Sequence, residues 1–114
     1  MSRSNPSSRG AFALLLALGA VALAGSAQAE TGWAAAHPRR AQVLERTTQL
    51  ERRITAEVRS GELGPARAAA LRSQVWRVRA REQALARRNG GFITPAQQAA
   101  LNAQEDRISR KVGP

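Results

Sequence analysis

The sequence predicts an all-α fold, a long antiparallel helical hairpin followed by a shorter third helix, and three observations predict it. Apolar residues recur at three- and four-residue spacing in three stretches, each stretch opens on proline, and glycine punctuates the chain between them. Cysteine and tyrosine are absent and histidine occurs once. A chain of 114 residues with that inventory leaves room for one small domain and excludes most catalysts.

The first segment predicts a leader. Met1 to Gly10 is polar and carries Arg3 and Arg9, Ala11 to Ala24 is an apolar run of fourteen residues, and Gly25-Ser26-Ala27-Gln28-Ala29 follows with small residues in Ala-x-Ala order. A permanent membrane helix needs about 20 apolar residues, so this run reads as a signal peptide, 1–29, cleaved between Ala29 and Glu30. No cysteine follows the run to accept a lipid, and no paired arginines precede it, so the general secretory route is favoured. The expected product is periplasmic or secreted, has no permanent membrane span, and is stable without disulfides.

After a short N-terminal extension, 30–37, the pattern becomes helical. Between Pro38 and Arg59, Val43, Thr47, Leu50, Ile54 and Val58 draw one apolar stripe, with Leu44 beside it and Arg and Glu on the opposite face. A second helix is predicted over 65–88 through Ala68, Leu71, Val75, Val78 and Leu85, and a third over 95–111 through Leu101, Ile108 and Val112. Glu82 and Glu105 interrupt the second and third stripes. They are expected at the edge of the helical interface or paired with Arg46, Arg53 or Arg107. The connections place Gly61, Gly90 and Gly91 where helices end, and Pro65 and Pro95 where the next begin.

An internal repeat supports the reading. Setting Gly61 over Gly91 aligns 21 positions, of which eight are identical, including Pro65/Pro95, Leu71/Leu101, Gln74/Gln104 and Arg77/Arg107. Leu63/Ile93 and Val78/Ile108 are conservative matches, and Pro38 with Leu44 repeats the Pro-to-Leu spacing a third time.

Within the second copy, Ile93-Thr94-Pro95-Ala96-Gln97 resembles the LTxxQ pattern of the small periplasmic stress chaperones of the Spy and CpxP kind. That resemblance implies an exported, Arg-rich helical hairpin that holds unfolded or stress-related protein clients without ATP, as a cradle-shaped dimer. The first copy, Leu63-Gly64-Pro65-Ala66-Arg67, has Gly in place of Thr and Arg in place of Gln. The motif has a structural reading as well: Thr94 as N-cap, Pro95 at the first helical position and Gln97 reaching back form a capping box. Across the remainder of the chain, His37-Pro38-Arg39-Arg40, Asn89 to Thr94, Leu101-Asn102 and Ser109 resemble a group of short exported proteobacterial proteins, a likeness that brings no mechanism.

Chemistry is sparse. Asn89 to Thr94 looks like the back half of a calcium-binding loop but lacks the spaced carboxylates and closing Glu such a loop requires. His37 stands without a cysteine or acidic cluster and reads as a helix-start residue. Glu82 and Glu105 lack a nucleophile or helper that would make them a catalytic pair, so neither catalysis, nor a cofactor, nor a metal is expected.

Charge and one aromatic residue carry the expectation of binding. Without the leader, 16 basic residues face 8 acidic ones, and only 15 of the remaining 85 residues are Leu, Ile, Val or Phe. Arg72, Trp76, Arg79 and Gln83 share a face of the second helix, offering an amphipathic ring flanked by guanidinium groups. That face is read either as covered by the third helix or a second copy, or as a surface for protein clients, envelope components or anionic lipid headgroups. Export argues against nucleic acid. The thin core favours a homodimer with Trp76 near its contact.

The leader yields the first testable outcome. The native protein should begin at Glu30 by N-terminal sequencing, and Met1 intact in the envelope fraction would overturn the assignment.

Overall fold

Proline at a helix start costs no hydrogen bond, because the first turn has no acceptor for its missing N–H, and glycine at a helix end accepts the left-handed backbone that other residues resist. Both rules are visible in the computed structural model, which describes residues 32–113. Among these the chain is all-α: α1 is Pro38–Arg59, α2 Pro65–Arg88 and α3 Pro95–Val112. The described residues fall into two units, one ending at Ala36 and one beginning at His37. Of the first, residues 32–36 are helical; the expected leader and its cleavage site lie outside the described residues.

The two turns use one device with a difference. Gly61 and Gly91 both have positive φ, 81° and 94°, and both stand four residues before the proline of the next helix. The second turn is one residue longer and spends it on Gly90, whose φ of 64° lets the Gly91 N–H reach back to the carbonyl of Ala86 at 2.8 Å. Leu63 and Ile93, two residues before each proline, are buried, so each turn also contributes an apolar side chain to the core.

The helix starts are not equivalent. Thr94 closes a capping box: its Oγ1 accepts the Gln97 N–H at 3.1 Å while its own N–H donates to Gln97 Oε1 at 2.8 Å. At α2 the N-cap is Gly64, which has extended backbone and no side chain to cap with. His37 is the N-cap of α1 but its side chain does not cap the helix, and its ring stacks on Phe92 in the second turn, centroids 4.9 Å apart.

The core lies where the three stripes meet. Val43, Leu50 and Ile54 of α1, Ala68, Leu71, Val75, Val78 and Ala86 of α2, and Leu101, Ile108 and Val112 of α3 are buried together with Leu63 and Ile93, while Val58 and Leu85 pack at the margin. Leu71 and Leu101 are buried, but Leu44 is only partly so; Val43 takes the inward position on α1, and the third occurrence of the Pro-to-Leu spacing has no equivalent in the packing. α3 runs one residue beyond the predicted Lys111, because Val112 packs inward and Gly113, at φ 101°, stops the helix after it.

Cross-helix hydrogen bonds give the relative directions. Between α1 and α2, Arg72 reaches Thr55 and Arg79 reaches Glu51, so residue numbers rise on one helix as they fall on the other. Between α1 and α3, Gln42 meets Asn102 and Arg53 meets Ser109, so those two helices run the same way. None of the helices among the described residues is long and apolar enough to cross a membrane.

The capping difference sets the second testable outcome. Thr94→Ala should lower stability by about 1 kcal/mol, whereas Gly64→Ser, at an extended and unobstructed N-cap, should raise it by roughly 0.5 kcal/mol. Paired chemical denaturation curves check both signs.

Candidate functional site

On the outward face of α2, Trp76 is 67% exposed. Neither α1 nor α3 covers it, so of the alternatives for this face, coverage by the third helix is not the one the fold adopts, and a second copy or a partner surface remain. The two arginines beside it are engaged with α1. Arg79 donates to both carboxylate oxygens of Glu51, at 2.9 and 3.2 Å, and through Nε to Thr47 Oγ1 at 2.9 Å; Arg72 donates to Thr55 Oγ1 at 3.3 Å. A bidentate fork held in this way is a structural cross-link, so Arg79 is less available to a ligand than the sequence suggests. Gln83 is exposed farther along the same face. Alongside, Thr48, Glu51, Arg52, Thr55, Ala56 and Arg59 line a shallow groove of about 360 Å³ on α1.

The glutamates that interrupt the stripes are not at the edge of the interface. Glu82 is 1% exposed, and its partner is Arg40 of α1 rather than Arg46, Arg53 or Arg107. The Arg40 guanidinium pairs with it through Nε and also donates to the Gly91 carbonyl at 3.3 Å, while neighbouring Arg39 donates to the Ile93 carbonyl at 2.7 Å. The start of α1 therefore clamps the second turn, and two carbonyls of the calcium-loop-like segment are occupied by arginine.

Glu105 is more unusual. It is 0% exposed, and both carboxylate oxygens lack a hydrogen-bond partner among the described residues. Burial pushes its pKa from 4.5 up to about 7, against the lowering influence of the Arg46 charge and with a small rise from Asp106. Arg46 itself pairs with Asp106, whose carboxyl it holds below the ordinary range, and donates to Asn102. Arg53 donates to Ser109 and to the Gly113 carbonyl, so two of the three expected partners belong to the α1–α3 contact.

The third, Arg107, belongs to a feature not anticipated from the sequence. Gln74, Arg77, Gln104, Arg107, Ile108 and Lys111 line a polar groove of about 300 Å³ between α2 and α3. The signal was present in the repeat, which pairs Gln74 with Gln104 and Arg77 with Arg107. What the alignment lacked was that the two copies face each other. Among the described residues no cluster of His, Cys, Asp and Glu is arranged to hold a metal ion.

No protein-family model matches the chain, and neither a curated protein nor a solved structure matches it.

Glu105 gives this site its testable outcome. A carboxyl whose folded pKa lies above its unfolded value binds a proton more tightly when folded, so its contribution favours folding at low pH and is lost as pH rises from about 4.5 through about 7. That loss is on the order of 3 kcal/mol. Glu105→Met should flatten this part of the stability profile and raise the melting temperature at pH 8, as measured by thermal denaturation across the pH range.

Proposed function

We propose that this chain is an exported, non-enzymatic helical binding module of the bacterial envelope, chaperone-like in kind, in which the α1–α2 hairpin closed by α3 presents a surface for protein clients. The observation that carries the reading is the 67% exposure of Trp76, on a chain whose other large apolar side chains on α2 are buried or packed at the core margin. A large aromatic ring in water, with Arg72 and Gln83 on the same face, is the kind of anchor that gains most when a partner desolvates it. The order of residues in the leader supports export, and the LTxxQ-like segment supports the chaperone analogy. Because Thr94 and Gln97 satisfy each other at the start of α3, they serve the fold in this reading and the client surface lies elsewhere.

A second reading, a cationic binder of anionic glycolipid or membrane headgroups, is favoured by the charge distribution. Sixteen basic residues remain beyond the expected leader, and among the described residues three ion pairs engage Arg40, Arg46 and Arg79. Salt separates the readings, since attachment by charge weakens as ionic strength rises and apolar contact does not.

The test is capture of partners from a periplasmic extract at low and high salt with the wild-type protein and Trp76→Ala. The variant should keep its melting temperature within a few degrees, because the ring is largely solvated, and lose salt-resistant partners. Equal capture by both proteins would remove Trp76 from the binding surface. Sedimentation analysis identifies the occupant: a dimer whose melting temperature rises with concentration makes the partner a second copy, and a folded monomer at all concentrations makes it a client.

A further inference from the structure

Helices α2 and α3 together contain three acidic side chains, and the fold directs all three away from the groove between them. Glu82 is buried against Arg40, Glu105 is buried in the core, and Asp106 pairs with Arg46 of α1. Arg77, Arg107 and Lys111 line the groove without a carboxylate among its lining residues, and Arg81 stands at one end.

The groove is ordered at both ends by its own amides. Lys111 Nζ donates to Gln74 Oε1 at 3.3 Å, and Arg81 Nη1 donates to Gln104 Oε1 at 3.3 Å. Each amide oxygen is thus turned to a cation at its own end, which leaves the NH₂ of each glutamine as a donor. Between the ends, Arg77 and Arg107 make no hydrogen bond or ion pair with any described residue. Ile108, buried beneath, gives the groove an apolar floor.

We propose that this α2–α3 groove is a binding site for a phosphate group, with Arg77 and Arg107 as its two guanidinium forks and Lys111, Gln74 and Gln104 as supporting donors. The site rests on the second, cationic reading of function and gives it a location. Donor count favours phosphate over carboxylate: two forks, an ammonium and two amides exceed what the two oxygens of one carboxylate can accept, whereas a phosphate offers more oxygens and up to two charges. Two guanidinium groups and an ammonium lining one groove, with no carboxylate among its lining residues, also set up a positive potential that favours an anion between them.

The experiment measures binding of pyrophosphate by calorimetry, and of vesicles of phosphatidylcholine with and without phosphatidylglycerol by flotation. The proteins are wild type, Arg77→Gln/Arg107→Gln, and a charge-matched control, Arg87→Gln/Arg88→Gln. The groove variant should melt with wild type, since neither side chain has a hydrogen-bond or ion-pair partner among the described residues, and should lose about tenfold or more in affinity for the phosphate probe, while the control loses less than twofold. Arg77→Lys/Arg107→Lys should retain part of the binding. Pyrophosphate binding with vesicles ignored identifies a soluble phosphate, and vesicle binding displaced by pyrophosphate identifies a headgroup; either supports the site. Equal losses in the groove and control variants, or binding of a Glu-rich peptide with no response to pyrophosphate, would overturn it. Salt-sensitive vesicle binding that survives Arg77→Gln/Arg107→Gln removes the site and keeps the cationic reading, whereas failure of wild type to bind either pyrophosphate or any anionic vesicle removes both.

Discussion

Among the described residues thirteen buried apolar side chains, two of them alanine and two supplied by the turns, must hold three helices together, and two glutamates share that interior. Such a core leaves little surplus over the entropy of ordering the chain, and the remainder of the architecture follows from that shortage. Long arginine side chains extend from the edges of the core and fasten one helix to the next: Arg79 to Glu51, Arg46 to Asp106, Arg53 to Ser109, and Arg40 to Glu82. The exposed members are individually weak. Arg40 is different, because its removal would leave the Glu82 carboxylate buried without a counter-ion.

The same shortage decides where charge accumulates. Acidic residues are half as numerous as basic ones beyond the expected leader, and the interior and the α1 contacts consume those of α2 and α3. Basic side chains on the α2–α3 exterior are therefore left without neutralising neighbours. Trp76 is stranded for a related reason: its ring lies one position beyond Val75, which occupies the inward site, and a helix face so narrowly apolar has no room to turn a second large side chain inward. Thus two surfaces, one aromatic and one cationic, arise on opposite sides of a single helix stripe.

Much of the fold was legible along the chain. Helical periodicity, Pro65 and Pro95 at helix starts, positive-φ glycines and the Thr94–Gln97 box depend on residues within a turn of one another, and near-neighbour chemistry is written directly in the sequence. The repeat likewise announced that Leu63 and Ile93 would play one role in two places, and both are buried. The candidate site was read less well. Arg72, Trp76, Arg79 and Gln83 were identified as a face, but Arg79 is committed to Glu51, and the groove lined by Arg77 and Arg107 went unrecognised.

By itself, the sequence determined which residues form helices, where each helix begins and ends, and which stripe of each turns inward, because these are set by local backbone energetics and a 3.6-residue period. Only the tertiary structure decided that Glu82 meets Arg40, that Glu105 meets no hydrogen-bonding partner, and that the two copies of the Gln and Arg pattern confront each other. The physical reason is register. A shift of one helical turn between packed helices exchanges every long-range partner while leaving each helix's own pattern unchanged, so pairing between helices is a property of the assembled core and not of any one stretch of chain.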